Sequence, residues 1–103
     1  MPRPYSQKFL MELQNGDPDS LGIQLGRLCV DCNIPAAYVA KALNTSRITV
    51  YSWFRGASVR EKKRREILTF MDLVRADAAQ GYLPAKNVTD AKRYIEGMIG
   101  VEI

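Results

Sequence analysis

The sequence predicts an all-α domain of five or six helices, and three observations support that fold class. Apolar residues recur at helical spacing along most of the chain. No long stretch alternates apolar and polar residues, as a half-buried strand would. Residues that begin or end helices separate the periodic segments. A chain of 103 residues, 47 % of them hydrophobic, is long enough to fold as one domain around its own core.

The N-terminal part contains two predicted helices. The first covers residues 6–14 and is closed by Gly16. The second begins with Asp17 as its N-cap and Pro18 in the first helical position, and it ends near Asn33. One face of this second helix carries the apolar positions Leu21, Leu25, Leu28, Cys29 and Cys32. Their helical spacing predicts that this face packs on the core.

Two short helices follow, over residues 35–43 and 46–54. Pro35 opens the first, Asn44 tolerates the left-handed backbone of the turn between them, and Gly56 stops the second. The side chains predicted to fill the space where these helices cross are Ala40, Leu43, Val50 and Trp53. The turn itself is only about three residues long, which forces the two helices into a close angle.

The C-terminal part carries two more predicted helices. Ser58 and Glu61 form a capping box that begins the longer one, and Gly81 ends it. Thr89 caps the last helix. The apolar positions of the longer helix recur at Ile67, Leu68, Met71, Val74 and Ala78. This spacing predicts a long helix with one face on the core.

We divide the chain into a domain of residues 1–82 and a C-terminal extension of residues 83–103, which we interpret as a dimerisation element. The apolar stripe of the extension is too large to stay exposed in a small monomer. It either folds back on the long helix or pairs with a second copy. The residues predicted to form a homodimer interface are Phe70, Leu73, Tyr94, Ile95, Met98 and Ile99.

Positive charge is concentrated in one segment of the chain. Residues 47–65 contain seven Lys or Arg against the single acid Glu61, so this segment has a net charge of +6 within a chain of +4. The remaining residues therefore sum to −2. Such a basic patch predicts a polyanion that faces the segment, and the alternative is a solvated helix face.

The residue types also exclude several classes of site. The chain has no histidine, which is the commonest general acid or base, and no Gly-rich phosphate loop. We therefore expect a protein that is not an enzyme and binds no cofactor. Cys29 and Cys32 have C-x-x-C spacing, but zinc would need about two more ligands. We interpret both as packed helix residues and predict no metal site. No run reaches the roughly 18 apolar residues of a membrane span, and we expect a cytoplasmic protein.

The two short helices and their tight turn match the helix-turn-helix motif, whose second helix enters the DNA major groove. The matching positions are Leu21, Gly22, Leu25, Leu28, Ile34, Ala40, Leu43, Ser46, Val50, Trp53 and Gly56. Over residues 20–56 the chain resembles the lambda-repressor/Cro-like helix-turn-helix family. It departs from the family at Ala36, where a phosphate-binding glutamine is common, and at Phe54, where an acid is common. We expect Phe54 to pack under the helix that follows.

The resemblance implies how the second short helix would contact DNA. The side chains in base-contacting positions are Arg47, Ile48 and Ser52. Arginine can donate two hydrogen bonds to guanine, and isoleucine can contact a thymine methyl. The positions suited to phosphate are Ser46, Thr49, Tyr51 and Arg55. The basic run would add Arg60, Lys62 and Lys63, provided that their helix begins near the DNA.

We therefore predict a sequence-specific double-stranded DNA-binding transcription regulator, a repressor of phage or bacterial type that acts by occupying its operator. As a homodimer it would hold two reading helices roughly 34 Å apart, one turn of DNA. The alternative is a protein-binding module on the same scaffold, such as a phage-type inhibitor or adaptor of a host protein. Its contact anchors would be Tyr51, Phe54 and Met98. A DNA-packaging or recombination accessory is a third interpretation.

Overall fold

The computed structural model describes residues 5–102. Met1 to Pro4, at the start of the predicted domain of residues 1–82, and Ile103, at the end of the extension of residues 83–103, lie outside the described residues. The regular structure of residues 5–102 consists of six helices: α1 Gln7–Gln14, α2 Leu21–Asp31, α3 Ala36–Ala42, α4 Arg47–Phe54, α5 Glu61–Ala79 and α6 Val88–Ile99. The all-α class is confirmed, whereas its helix-turn-helix type stays a prediction. No helix of this range is long and apolar enough to cross a membrane.

One hydrophobic core joins all six helices. The helix α2 packs against α1, α4 and α5, while α3 packs against α4 and α6. Within residues 5–102 the buried residues are hydrophobic or glycine, and no polar or charged residue is buried. Cys29 and Cys32 are free thiols within this core, and burial raises the pKa of the Cys29 thiol above its ordinary value. Such a protonated thiol is a poor nucleophile and metal ligand, which agrees with a packing role.

Four helices end in the same hydrogen-bonded motif. The residue after the C-cap has a left-handed backbone in each of them, at Asn33 (φ 60°), Asn44 (φ 53°), Gly56 (φ 101°) and Gly81 (φ 87°). The next residue's N–H then bonds a carbonyl five residues back, as Thr45 does to Ala40 at 3.0 Å. Glycine and asparagine adopt this backbone most readily, which explains why the predicted stops at Asn44, Gly56 and Gly81 are confirmed.

The predicted helix starts were less accurate. Ser20, not Asp17, caps α2, since its hydroxyl accepts the N–H of Ile23 at 3.4 Å. The predicted capping box at Ser58 is wrong: α5 begins at Glu61, directly after Arg60. The side chain that caps α6 is that of Asn87 rather than Thr89. Asp17 instead holds a turn before α2, where its carboxylate accepts the N–H of Asp19 at 2.9 Å.

The helices α2 and α4 approach each other more closely than ordinary side chains allow. A Cβ atom added to Gly22 would lie 2.1 Å from the carbonyl oxygen of Trp53. No rotamer change can relieve a clash with backbone, so only glycine permits this crossing. Gly26, one turn further along α2, is less tightly placed, since its added Cβ would lie 2.9 Å from a side-chain atom of Leu13 and 3.1 Å from one of Phe54.

The C-terminal extension folds back on the same chain. Its backbone is joined to the end of α2 by two hydrogen bonds of 2.9 Å, from Ala85 N–H to Cys32 O and from the Asn33 amide to Ala85 O. The helix α6 packs mainly on α3, and the Tyr94 hydroxyl donates to an Asp77 carboxylate oxygen on α5 at 2.6 Å. The extension is therefore part of the one core.

This fold-back corrects the predicted dimer interface. Phe70 is only 3 % exposed and Ile95 0 %, so neither side chain is available to a second chain. Tyr94, Met98 and Ile99 are partly buried against the core, and Leu73 is exposed. A groove between α5 and α6 remains, lined in part by Leu73, Tyr82, Tyr94 and Met98.

Candidate functional site

The helix α4 presents two different faces. Val50, Trp53 and Phe54 are buried in the core. Arg47, Ile48 and Arg55 are exposed, and Ser52 is half-buried. The three predicted base-contacting residues, Arg47, Ile48 and Ser52, thus lie on the part of α4 that the core does not cover, which we call the outward strip. Ile48 is the most exposed large hydrophobic side chain of residues 5–102, at 81 %.

The first turn of α4 is held by its own hydroxyls. Ser46 is the N-cap, and its Oγ accepts the N–H of Thr49 at 3.1 Å. The Oγ1 of Thr49 lies 2.9 Å from the same oxygen, so the two hydroxyls share a hydrogen bond. One turn later, Ser52 Oγ donates to the carbonyl of Thr49 at 2.8 Å. Ser52 therefore has no hydroxyl hydrogen left to donate. In the Ser46–Thr49 pair only one hydroxyl donates to the other, so one hydrogen of that pair stays available to a partner.

Tyr51 has a packing role that the sequence interpretation missed. Its ring meets that of Phe9 edge-on with centroids 5.5 Å apart, and that of Tyr5 at 6.4 Å. The ring of Tyr51 thus joins α4 to the N-terminal helix, while the phosphate contact predicted for this residue stays a prediction. Tyr5 is tied down in turn, since its buried hydroxyl donates to Ile34 O at 2.6 Å and burial raises its pKa.

Phe54 is buried at 1 % exposure, in one hydrophobic cluster with residues of α5. Its ring lies beside the rings of Tyr5, Phe9 and Tyr51. Two of the three anchors predicted for a protein-binding surface, Tyr51 and Phe54, thus belong to this aromatic cluster. The protein-binding alternative loses them as free contact residues.

Arg55, at the end of α4, extends over the aromatic cluster. Its guanidinium carbon lies 5.9 Å from the centroid of the Tyr51 ring, within cation–π range. Its Nε lies 3.9 Å from a carboxylate oxygen of Glu12 on α1. Since both side chains are largely exposed, this ion pair is weak and Arg55 stays accessible to an anion.

The basic run at the start of α5 divides into members with different roles. The ammonium of Lys63 donates to the carbonyl of Leu43 at 2.6 Å, to that of Asn44 at 3.4 Å and to Glu66 at 2.9 Å. An ammonium has three hydrogens, so Lys63 has none left for a phosphate, and that prediction is corrected. Instead, Lys63 fastens the start of α5 to the turn between α3 and α4. Arg60 and Lys62 are exposed.

A cleft lies between α4 and the start of α5. The side chains that line it are Thr45, Thr49, Ser52, Trp53, Ser58, Arg60, Lys62 and Lys63. Four carry hydroxyls and three carry positive charge, while none of these described lining residues is acidic. The sequence interpretation had missed Thr45, and it had assigned Ser58 to a helix cap. The only available signal was their position beside basic residues, since Thr45 lies two residues before Arg47 and Ser58 two residues before Arg60.

Comparisons with known proteins leave the resemblance untested. No family model, no curated protein sequence and no solved structure matches the chain. The relation to the lambda-repressor/Cro-like family therefore stays a prediction that depends on the sequence positions given above.

Proposed function

We propose that the protein is a sequence-specific double-stranded DNA-binding transcription regulator of the helix-turn-helix type, a repressor that occupies its operator. The observation that carries the proposal is the outward strip of α4. A cation, Arg47, and a bare aliphatic side chain, Ile48, stand exposed on a helix whose other face is fixed in the core. They lie at the start of the segment with a charge of +6.

The chemistry of this strip suits base edges in the major groove. Arginine can donate two hydrogen bonds to O6 and N7 of guanine, and an aliphatic side chain can contact the methyl of thymine. Ile48 is 81 % exposed, so it adds little to the stability of the core. Contact with a binding partner would explain an exposed aliphatic side chain at this position. Arg55, Arg60 and Lys62 supply charge for phosphate, which would position the helix without reading sequence.

Selection of binding sites from a random duplex pool tests this proposal. We expect one enriched motif, and we expect Arg47→Ala to relax one of its base positions at a cost of about 1–3 kcal/mol. The matched control is Arg75→Ala, which removes the same charge from an exposed site on α5 outside the +6 segment. If no motif is enriched, or if both variants lose the same affinity, the protein is not a sequence-specific regulator.

A homodimer remains part of the proposal, with its contact surface reduced to the groove between α5 and α6. Leu73 and Met98 lie on both sides of that groove. Two copies would present two reading helices to a palindromic operator. Sedimentation equilibrium at tens of micromolar, with and without the selected duplex, measures the mass. A monomeric mass in both conditions removes the dimer and leaves DNA binding to be judged on its own.

A further inference from the structure

We propose that the cleft between α4 and the start of α5 is a binding site for a single phosphodiester of the DNA backbone, and that Thr45, Ser58, Arg60 and Lys62 are the groups that hold it. This inference rests on the proposed function. It specifies which members of the basic segment contact DNA and which do not. It also adds two hydroxyls to the site.

The hydrogen-bond inventory of the cleft selects these four residues. Lys63 uses its three donors on Leu43, Asn44 and Glu66. The Ser52 hydroxyl donates to the carbonyl of Thr49, and the Thr49 hydroxyl is hydrogen-bonded to that of Ser46. Within residues 5–102, the side chains of Thr45, Ser58, Arg60 and Lys62 have no hydrogen-bond or ion-pair partner. The cleft therefore holds two free hydroxyl donors and two free cations.

The chemistry of the cleft matches a phosphodiester. A phosphate oxygen accepts hydrogen bonds from hydroxyl, ammonium and guanidinium groups, and charge-assisted bonds of this kind are the strong ones. No described residue that lines the cleft is acidic, and the Glu66 carboxylate that contacts Lys63 is already paired with it. Thr49 and Ser52 of α4 line one wall of the cleft, and Ser52 also belongs to the outward strip. A phosphate in the cleft would therefore flank the bases that Arg47 and Ile48 contact.

The other basic residues on α5 provide a matched control. Arg65 lies nearly one turn after Lys62 and lines a different groove, together with Phe70 and Leu73. Arg60→Ala and Lys62→Ala remove a charge from the cleft, whereas Arg65→Ala removes the same charge from the same helix outside it. All three residues are exposed, so their folding can be checked by the melting temperature before binding is measured.

The first measurement is the affinity for the selected duplex and for a random duplex across a salt series. We expect Arg60→Ala and Lys62→Ala each to reduce the magnitude of the slope of log K against log salt by about 0.9 and to weaken the binding of both duplexes by the same factor. The Arg65→Ala protein should keep the wild-type slope. The neutral variants Ser58→Ala and Thr45→Val should weaken binding without changing the slope. If Arg65→Ala lowers the slope as much as Lys62→Ala, the run acts as diffuse charge and the cleft is not a site.

A second measurement identifies the phosphate. Neutral methylphosphonate is placed at each backbone position of the duplex in turn. At one position, the losses from Lys62→Ala and from the methylphosphonate should not add, because both remove the same contact. Additive losses at every position would overturn the assignment while leaving sequence-specific binding intact.

Free inorganic phosphate offers the cleft the same oxygen acceptors as a DNA phosphodiester, and titration with inorganic phosphate distinguishes the two ligands. We expect the amide signals of Thr45 and Ser58 to shift with duplex DNA at micromolar concentration and with inorganic phosphate only at far higher concentration. Saturation by inorganic phosphate together with no binding of any duplex would overturn both the inference and the proposed function. Duplex binding with unshifted Thr45 and Ser58 signals would overturn the inference alone.

Discussion

The inward and outward faces of α4 differ in how strongly the rest of the molecule constrains them. On the inward side, Trp53 touches the backbone of Gly22, and Phe54 lies among three other rings. On the outward side, Arg47 and Ile48 are exposed to solvent. Substitutions on the inward side should therefore change stability, and those on the outward side should change binding alone.

The largest expected effect on the inward side is that of Gly22→Ala. The new Cβ would lie 2.1 Å from the Trp53 carbonyl oxygen, so the two helices must move apart. We expect a loss of about 3 kcal/mol or more in the free energy of unfolding, measured by urea denaturation. Gly97→Ala on α6 is the control, since its Cβ meets nothing within 4 Å, and it should stabilise by about 0.5–1 kcal/mol. Equal stability of the two variants would show that α2 and α4 are not in close contact.

Tyr5→Phe should have the next largest effect, because it keeps the ring cluster and deletes the hydrogen bond to Ile34 O. A buried carbonyl then loses its partner, and we expect a loss of about 2 kcal/mol at pH 7. Folding raises the Tyr5 pKa, so the tyrosine's contribution is complete below pH 10 and declines above it. The difference between wild type and variant should shrink by about 1.4 kcal/mol from pH 8 to pH 11. A pH-independent difference would contradict this burial.

Ser46→Ala tests the N-cap where the two faces of α4 begin. Loss of the hydroxyl that accepts the Thr49 N–H should lower the free energy of unfolding by about 1 kcal/mol. Ser58→Ala is the comparison, because Ser58 is exposed and caps no helix, and it should stay within about 0.5 kcal/mol of wild type. Thermal melts of the two variants measure the contrast. A larger loss of stability from Ser58→Ala than from Ser46→Ala would show that Ser58 does cap α5.

Ile48→Ala should have the smallest effect, and only on binding. The side chain is 81 % exposed, so its removal should leave the melting temperature unchanged. Contact with one thymine methyl is worth about 0.8 kcal/mol, and replacing that thymine by uracil should cost the wild type as much. The uracil substitution should cost Ile48→Ala nothing. If both proteins respond equally to uracil, Ile48 does not contact that methyl.

Much of the fold was predictable because the helices stop at residues with a local reason to stop. Asn44, Gly56 and Gly81 adopt a left-handed backbone readily, and that preference needs no distant partner. The starts were harder, since several residues near each start could accept an N–H. Asp17 and Ser20 both qualify by type, and only the packing of α2 decides between them.

In the candidate site, too, locally determined features were predictable and those that depend on distant partners were not. The apolar positions Val50 and Trp53 predicted the buried face of α4, and the resemblance implied that Arg47 and Ile48 lie outside it. Neither could predict the contacts of Tyr51 or Lys63, whose partners are distant in sequence: Phe9 lies on α1, and the carbonyl of Leu43 lies 20 positions before the lysine. Phe70 and Ile95 were misplaced for the same reason, because only the fold-back of α6 shows which side of the apolar stripe is covered.

The close crossing of Gly22 and Trp53 has a thermodynamic consequence for recognition. A helix of eight residues is too short to be stable by itself in water, yet α4 is held by a backbone contact that only glycine allows. Little conformational entropy is then lost from α4 when a partner binds, so contacts on its outer surface contribute to affinity instead of offsetting an ordering cost. Calorimetry should accordingly show a heat-capacity change that matches surface burial alone, without a contribution from coupled folding.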